Sequence, residues 1–204
     1  MTPLSEAERF ARLRLARTDR VGPVAFSQLL QRFGSAERAL DALPDLIRSG
    51  GRSGYSIPAP EVVEAELKAG ARIGARLILW GEAAYPEVLA AVDPPPPLLW
   101  TLGDPALMQR PCMAIVGARI ASAGGQRIAR GRAQQLGESG HVVVSGLARG
   151  VDAAAHLGAL ETGTIAVLGG GVDDVYPSDN ADLYRQIVRI PAGLRRRRAD
   201  RTQR

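Results

Sequence analysis

Two different hydrophobic patterns divide the chain. In the first 75 residues, apolar positions recur every three or four residues, which is the spacing of amphipathic helices. After that segment, short runs that are apolar along their whole length alternate with helical segments. This alternation predicts parallel strands joined by crossover helices. We therefore expect a small helical domain over residues 1–75 and an α/β domain over residues 76–188.

The helical segment contains start and stop signals for several helices. Ser5 and Glu8 have the spacing of a capping box, so a first helix is expected to run from there to about Arg17. Pro23 and Gly34 predict the start and the end of a second helix. Three more helices are expected, one capped by Ser35, one from Pro44 to Gly50, and one from Pro60 to Gly70.

The turn between the first two predicted helices contains Gly22 followed by Pro23. It is similar to a helix-hairpin-helix turn, in which a glycine lets backbone N–H groups approach a phosphate. A glycine–proline junction also joins helices that bind nothing. The pattern leaves both interpretations open.

The second segment contains strand-like runs separated by helical ones. The run MAIVG is expected to be a buried strand, and Cys112 just before it a buried structural thiol. The other strands are predicted at RLILW, LLWTL, HVVVSG and TIAVLGGG, and the principal helices at 125–137, 151–160 and 179–187. A parallel sheet covered on both faces follows from these continuous apolar runs.

Charge is distributed unevenly along the chain. The net charge is +5, but residues 189–204 alone contain seven arginines against Asp200, so residues 1–188 carry a net charge of −1. Any anion must therefore be held by locally placed groups in the folded part. Residues 189–204 are predicted to be a basic, disordered tail. The charged first twenty residues and the lack of a long apolar run predict a cytoplasmic protein.

The loops after the strands are where a parallel sheet binds its ligands. In the first loop, Arg119 and Ser122 stand where a dinucleotide-binding fingerprint requires glycine. The second strand ends in Ser145 and Gly146 and lacks the acidic residue that would hold a ribose. An NAD or FAD site is therefore not expected, and the sequence predicts no cofactor and no metal site.

The same loops contain groups that suit phosphate. Arg119 lies at a strand tip, and Ser122 begins a helix whose N–H groups and dipole favour an anion. Asp152 and His156 in the next helix are more often structural than catalytic in such positions. The candidate nucleic-acid-binding residues are Arg119, Ser122, Gly124, Gly125, Ser145, Gly146, Arg149, Gly150, Gly170, Gly171 and Tyr176.

Four segments resemble the DNA-processing protein A family (DprA/Smf). They are YPEVLAAVDPPPPLLWTLGD, AIVGARIAS, VVSGLARGVDAAAH and TIAVLGGGVDDVYPSDN, and together they cover residues 85–188 almost continuously. The resemblance implies the front half of a Rossmann-like parallel sheet, preceded by a small helical domain of the SAM or helix-hairpin-helix type. It also implies a protein without catalytic activity that binds single-stranded DNA, loads the RecA recombinase, and serves natural transformation and recombination. Under it, Arg119 and the Ser145, Gly146, Arg149 and Gly150 cluster line the DNA pocket.

Two departures from the family pattern affect these expectations. Family members commonly carry a basic residue in a YPxxN segment where this chain has Ser178 and Asp179, so one phosphate contact is expected to be missing. After residue 188 the chain is unlike the family, which suggests a truncation. By the resemblance, the homodimer surface and the RecA contact are expected to lie in or near the missing part, and a homodimer is expected only where that part is present. The alternatives are an inactive fragment with an unpaired sheet edge and a nucleotide hydrolase of the lysine-decarboxylase-like type. The PGGxGTxxE segment of that type is replaced here by LGGGVDDVYP.

Overall fold

The structure, a computed structural model, describes residues 3–49 and 56–189. The chain divides into two compact units, Met1–Trp100 and Thr101–Arg204. The first unit extends past the predicted boundary at residue 75 because the indole of Trp100 packs directly on Gly70, where a Cβ would lie 2.3 Å from the ring. That boundary stays a prediction. None of the described helices is long and apolar enough to cross a membrane.

The first unit consists of helices and a two-stranded sheet. Its elements are α1 (Glu6–Ala16), α2 (Pro23–Phe33), α3 (Ala36–Ser49), α4 (Pro60–Arg72), β1 (Arg76–Leu79), α5 (Glu87–Ala90) and β2 (Leu98–Thr101). The predicted helices at the start of the chain and after Pro23 are confirmed. Gly34 ends α2 with a φ of +80°, the left-handed conformation that glycine adopts without strain.

The predicted capping box at the start of α1 is only half formed. The Ser5 hydroxyl accepts a hydrogen bond from the Glu8 backbone N–H at 3.1 Å, as expected. The Glu8 carboxylate, however, accepts from the Ala36 backbone N–H at 3.0 Å and from Arg12 Nε at 2.7 Å. Glu8 therefore caps the start of α3 and joins it to α1.

The predicted helix start at Pro44 is wrong, because α3 runs without a break from Ala36 to Ser49. Proline lacks an N–H group, so the helix loses one backbone hydrogen bond at this position. Ala39 and Leu43 are nevertheless buried on its inner side, with 0% and 4% exposure. Burial of this apolar face keeps the helix continuous through the proline.

The core of the first unit lies between its helices. Leu15 and Phe26 are fully buried, and further apolar residues of α1, α2 and α3 pack around them. At the edge of this unit, Arg17 binds the Glu66 carboxylate through two nitrogens at 2.7 and 2.9 Å, and Trp100 Nε1 donates to it at 2.8 Å. Burial raises the pKa of Glu66, but these hydrogen bonds outweigh it and hold the pKa below its usual range.

The second unit has an α/β arrangement, in which helices alternate with strands along the chain. Its elements are β3 (Cys112–Ala114), α6 (Ala123–Glu138), β4 (Val142–Ser145), α7 (Val151–Ala159), β5 (Thr164–Ala166) and α8 (Ala181–Val188), with short 3₁₀ turns at Pro105–Gln109 and Ser178–Asn180. The sheet order is β3-β4-β5, and both pairs are parallel, as predicted. Helices α6 and α7 pack on each other and on β4.

The prediction that MAIVG forms a buried strand is wrong. All three residues of β3 are exposed, and Cys112 is an exposed thiol rather than a buried one. Among the described residues β3 pairs only with β4, so it is an edge strand. Met113 is 46% exposed and Val116 is 72% exposed. Apolar composition predicted burial, but an edge strand is buried only where a neighbour covers it.

Candidate functional site

The loop between β3 and α6 offers the most open set of anion-binding groups. Ser122 is the N-cap of α6, and its hydroxyl accepts from the Gly125 backbone N–H at 3.1 Å. Within the described ranges, the backbone N–H groups of Ala123 and Gly124 have no acceptor. The Arg119 side chain is exposed and makes no hydrogen bond or ion pair with any described residue. This loop therefore presents an unpaired cation and an open helix N-terminus, both of which favour phosphate.

Gly150 brings the second loop into contact with the first. Its φ is +77°, and a Cβ there would lie 2.3 Å from the Ala118 carbonyl oxygen. The next residue, Val151, donates its backbone N–H to the same oxygen at 3.2 Å. Gly150 is thus required for close packing between the loops that carry Arg119 and Arg149. Its predicted contact with DNA stays a prediction.

The second loop is held together by a carboxylate of the protein itself. Asp152, 5% exposed, accepts from the Gly117 backbone N–H at 3.2 Å and from the Gly146 backbone N–H at 3.1 Å. Ala153 donates its backbone N–H to Ala148 O at 3.1 Å. Several N–H groups around the start of α7 are therefore already bonded, in contrast to those at the start of α6.

Ser145 joins neighbouring strands. It is 2% exposed, and its hydroxyl donates to the Ile115 carbonyl at 2.6 Å. The proton that would contact a phosphate is already used in this bond. The role of Ser145 in DNA binding stays a prediction, whereas its role in fixing the end of β4 against the chain beyond β3 is visible in the structure.

His156, for which a structural role was expected, is fully buried. Its Nδ1 lies 2.7 Å from Thr164 Oγ1, and the Thr164 hydroxyl donates to Val143 O at 2.7 Å. Because the threonine proton is used, Nδ1 carries the histidine proton, and Nε2 is left without a partner. Burial lowers the pKa of His156 to about 4, against smaller opposing contributions from Asp152 and the Ser145 backbone. The ring is a neutral core group.

Two contacts join the second loop to the third. Arg149 Nε lies 2.7 Å from Asp179 Oδ2, and both side chains are more than half exposed. Asn180 Nδ2 donates to the Leu147 carbonyl at 2.8 Å. Leu147 is fully buried with a φ of +58°, so the loop is anchored just before Arg149. The sequence predicts Arg149 as a DNA-binding residue but does not reveal this ion pair, because Asp179 lies far along the chain.

The third loop carries carboxylates beside the glycines that were expected to approach phosphate. A Cβ at Gly171 would lie 2.5 Å from Asp173 Oδ1, and one at Gly170 would lie 3.3 Å from Asp174 Oδ2. Tyr176 is 75% exposed and presents a ring that a base can stack on. The predicted phosphate contacts of Gly170 and Gly171 stay predictions, and the nearby negative charges oppose them.

An open apolar groove of about 500 Å³ lies between β3 and α6. Met113, Val116, Gly125 and Ile128 contribute to its lining. Among the described residues no group of three or more His, Cys, Asp or Glu side chains is arranged to hold a metal ion. The groove was not predicted, because β3 was expected to be covered.

Comparison with known families identifies the chain. A model of the DprA-like N-terminal HHH domain matches residues 6–69, and a model of DNA recombination-mediator protein A matches residues 76–194. The second match alone spans more than half of the 204 residues. The chain belongs to the DNA recombination-mediator protein A family. The match also extends past residue 188, where we expected the likeness to end.

Individual relatives agree with this assignment. Protein Smf from Synechocystis is 34% identical over 183 residues, covering 82% of this chain and 46% of the relative. DNA processing protein DprA from Streptococcus pneumoniae is 43% identical over 105 residues, covering 50% of this chain and 37% of the relative. The chain thus spans less than half the length of each of these two relatives.

Two solved structures resemble the chain. The X-ray structure of DprA from Streptococcus pneumoniae has a TM-score of 0.65 and 25% identity, and covers 92% of this chain and 65% of its own. DNA processing protein A from Helicobacter pylori, studied for its single-stranded DNA binding mode, has a TM-score of 0.53 and 28% identity over 59% of this chain and 54% of its own. The predicted fold, a helical domain followed by an α/β domain with a parallel sheet, is confirmed.

Proposed function

We propose that this family member binds single-stranded DNA through the loop between β3 and α6. The observation that carries the proposal is Arg119, an exposed arginine with no partner among the described residues, next to a helix start with free N–H groups. The Helicobacter relative, known for a single-stranded DNA binding mode, supports the choice of ligand. Phosphate is the part of DNA that such groups recognise.

The same geometry favours sequence-independent binding of a flexible strand. The N–H donors of α6 and the Ser122 cap are fixed in position, so the backbone of the strand must adapt to them. Tyr176 is an exposed ring in the third loop that can stack on a base of any identity. The expected mode is therefore phosphate recognition with limited stacking.

The wider role rests on the family alone. We infer a part in DNA processing during natural transformation and recombination, with RecA as a partner by family resemblance. We also infer that the protein is cytoplasmic and that it binds DNA without catalysing a reaction. The enzyme alternative has no supporting contact in the described residues, since His156 is buried and bonded to Thr164 and Ser145 is bonded to Ile115.

The test compares Arg119→Ala with Arg130→Ala, an exposed arginine on α6 about two turns beyond its start. Binding of a labelled oligothymidylate is measured by fluorescence anisotropy at fixed salt. Excess unlabelled duplex DNA is added as a competitor, because the six arginines in residues 190–204 attract any polyanion. We expect Arg119→Ala to weaken binding about tenfold, since a charge-assisted hydrogen bond contributes roughly 1 to 3 kcal/mol. Arg130→Ala is expected to change it less than about twofold. Equal effects of the two substitutions would refute the site.

A further inference from the structure

We propose that Asp179 limits DNA affinity by holding Arg149 in an internal ion pair, so that a carboxylate of the protein competes with a DNA phosphate for this guanidinium. The inference rests on the proposed function, which supplies the competing phosphate. It concerns a second cation of the site, separate from Arg119. Asp179 would then set both the affinity for single-stranded DNA and its dependence on salt.

The position of the ion pair follows from the loops that carry it. Leu147 is buried in a left-handed conformation, and the Asn180 side chain is bonded to its carbonyl at 2.8 Å. This bond fixes the start of α8 against the second loop. Asp179 immediately precedes Asn180, so its carboxylate is brought within 2.7 Å of Arg149 Nε. The carboxylate is thus held in place by the fold.

The pair is accessible to a ligand. The Arg149 side chain is 63% exposed and the Asp179 side chain 59% exposed. Exposed pairs of this kind are weak because water screens both charges. A phosphate can therefore approach the terminal nitrogens of Arg149, but it meets an arginine whose charge is already balanced and a carboxylate that repels it.

Arg149 and Arg119 differ in their pairing, and Asp179 is the residue that causes the difference. Arg119 has no described partner, so its full charge is available to a phosphate. Arg149 lies on the adjacent loop, which Gly150 packs against the loop of Arg119. The two arginines differ in that Arg149 is paired with a carboxylate, and a single substitution can remove that carboxylate. Replacing Asp179 by an uncharged residue of the same shape should convert Arg149 into a second free cation.

The experiment measures binding of labelled oligothymidylate by the full chain at several salt concentrations. Asp179→Asn is compared with Asp182→Asn, which removes the same charge from another exposed pair, between Asp182 Oδ1 and Arg185 Nη1 at 2.7 Å. We expect Asp179→Asn to bind about three- to tenfold more tightly at low salt. We also expect the slope of log K against log salt to steepen by about 0.7, the value for one more neutralised phosphate on a single strand. Asp182→Asn should change the affinity less than about twofold.

The same substitution made in a variant that lacks Arg149 distinguishes release of the ion pair from the mere loss of one negative charge. In Arg149→Ala, the further change Asp179→Asn should leave the slope unchanged and alter the affinity less than about twofold, because the released cation is absent. An Asp179→Asn variant that behaves like Asp182→Asn, while wild type binds and depends on Arg119, would overturn this inference and leave the proposed function intact. Absence of single-strand binding in wild type and in every variant would overturn the proposed function and the inference with it. Matching thermal unfolding curves check that each variant is folded.

Discussion

Helices α1, α2 and α3 close around their own core, whereas the sheet of the second unit leaves its first strand exposed. Phe26 in the first unit is fully buried, while Met113 at the centre of β3 is 46% exposed. A helix satisfies its backbone hydrogen bonds internally and needs cover on only one side. A parallel strand needs a partner at each edge and a layer on each face. The helical core is thus buried by residues close together along the chain. Burial of a sheet requires strands and helices from more distant parts of a chain.

The strongest test of this comparison is Phe26→Ala in the first unit. Removing a fully buried aromatic ring leaves a cavity, and we expect a loss of about 3 to 5 kcal/mol in the free energy of unfolding. Trp80 and Trp100 are the only tryptophans of the chain and both lie in the first unit, so their fluorescence follows its unfolding in urea.

Val24→Ala on the same helix is the matched control for Phe26→Ala. Val24 is 55% exposed, so the loss should be below about 1 kcal/mol. Hydrogen exchange in β4 should be affected less by Phe26→Ala than exchange in α2, if the first unit has a core of its own. A loss below about 1 kcal/mol for Phe26→Ala itself would contradict the closed core.

We expect acid to destabilise the two units over different pH ranges. The expected loss of stability is intermediate among the effects predicted here. Burial lowers the pKa of His156 to about 4, whereas an unfolded histidine titrates near 6.5, so between these values only the unfolded state takes up the proton. Stability of the second unit is therefore lost as the pH falls from about 6.5 to about 4, by roughly 3 kcal/mol. The pKa of Glu66 lies below 4.5, so its contribution to the first unit is lost only at lower pH.

Hydrogen exchange in β4 and α7, corrected for intrinsic rates, measures this loss, while tryptophan fluorescence follows the first unit. The matched variant is His156→Asn, whose amide can donate to Thr164 but does not titrate. We expect the loss between pH 6.5 and 4.5 to disappear in this variant. An unchanged pH dependence in His156→Asn would assign the loss to other groups.

Sequence reasoning succeeded in the first unit where one residue decides the local structure. A Ser5 hydroxyl at a helix start, a proline at position 23 and a glycine at position 34 each act on the backbone beside them. The same reasoning failed at Pro44, where burial of the helix face outweighs the lost hydrogen bond. Local signals therefore predicted most helix ends, and tertiary packing decided the exception.

The candidate site was less predictable because its contacts connect separate loops. The parallel pairing of the strands and the loop that carries Arg119 followed from the alternation of apolar runs. The bonds from Asp152 to Gly117 and Gly146 did not, since no spacing along the chain indicates them. The ion pair of Arg149 with Asp179 was missed for the same reason. Sequence located the loops, but only the structure shows which cations are free.

The smallest expected effect tests the open side of the sheet. Ile128 on α6 is 68% exposed and lines the groove beside Met113 and Val116. If the groove is open to water, Ile128→Gln should change the free energy of unfolding by less than about 0.5 kcal/mol. Ala129→Gln is the control, because Ala129 is 6% exposed and the longer polar side chain should cost about 1 to 3 kcal/mol there. Urea denaturation followed by circular dichroism compares the free energies of unfolding of the two variants. Equal destabilisation by both substitutions would mean that Ile128 is covered in solution, and the contrast between a closed helical core and an open sheet would fail.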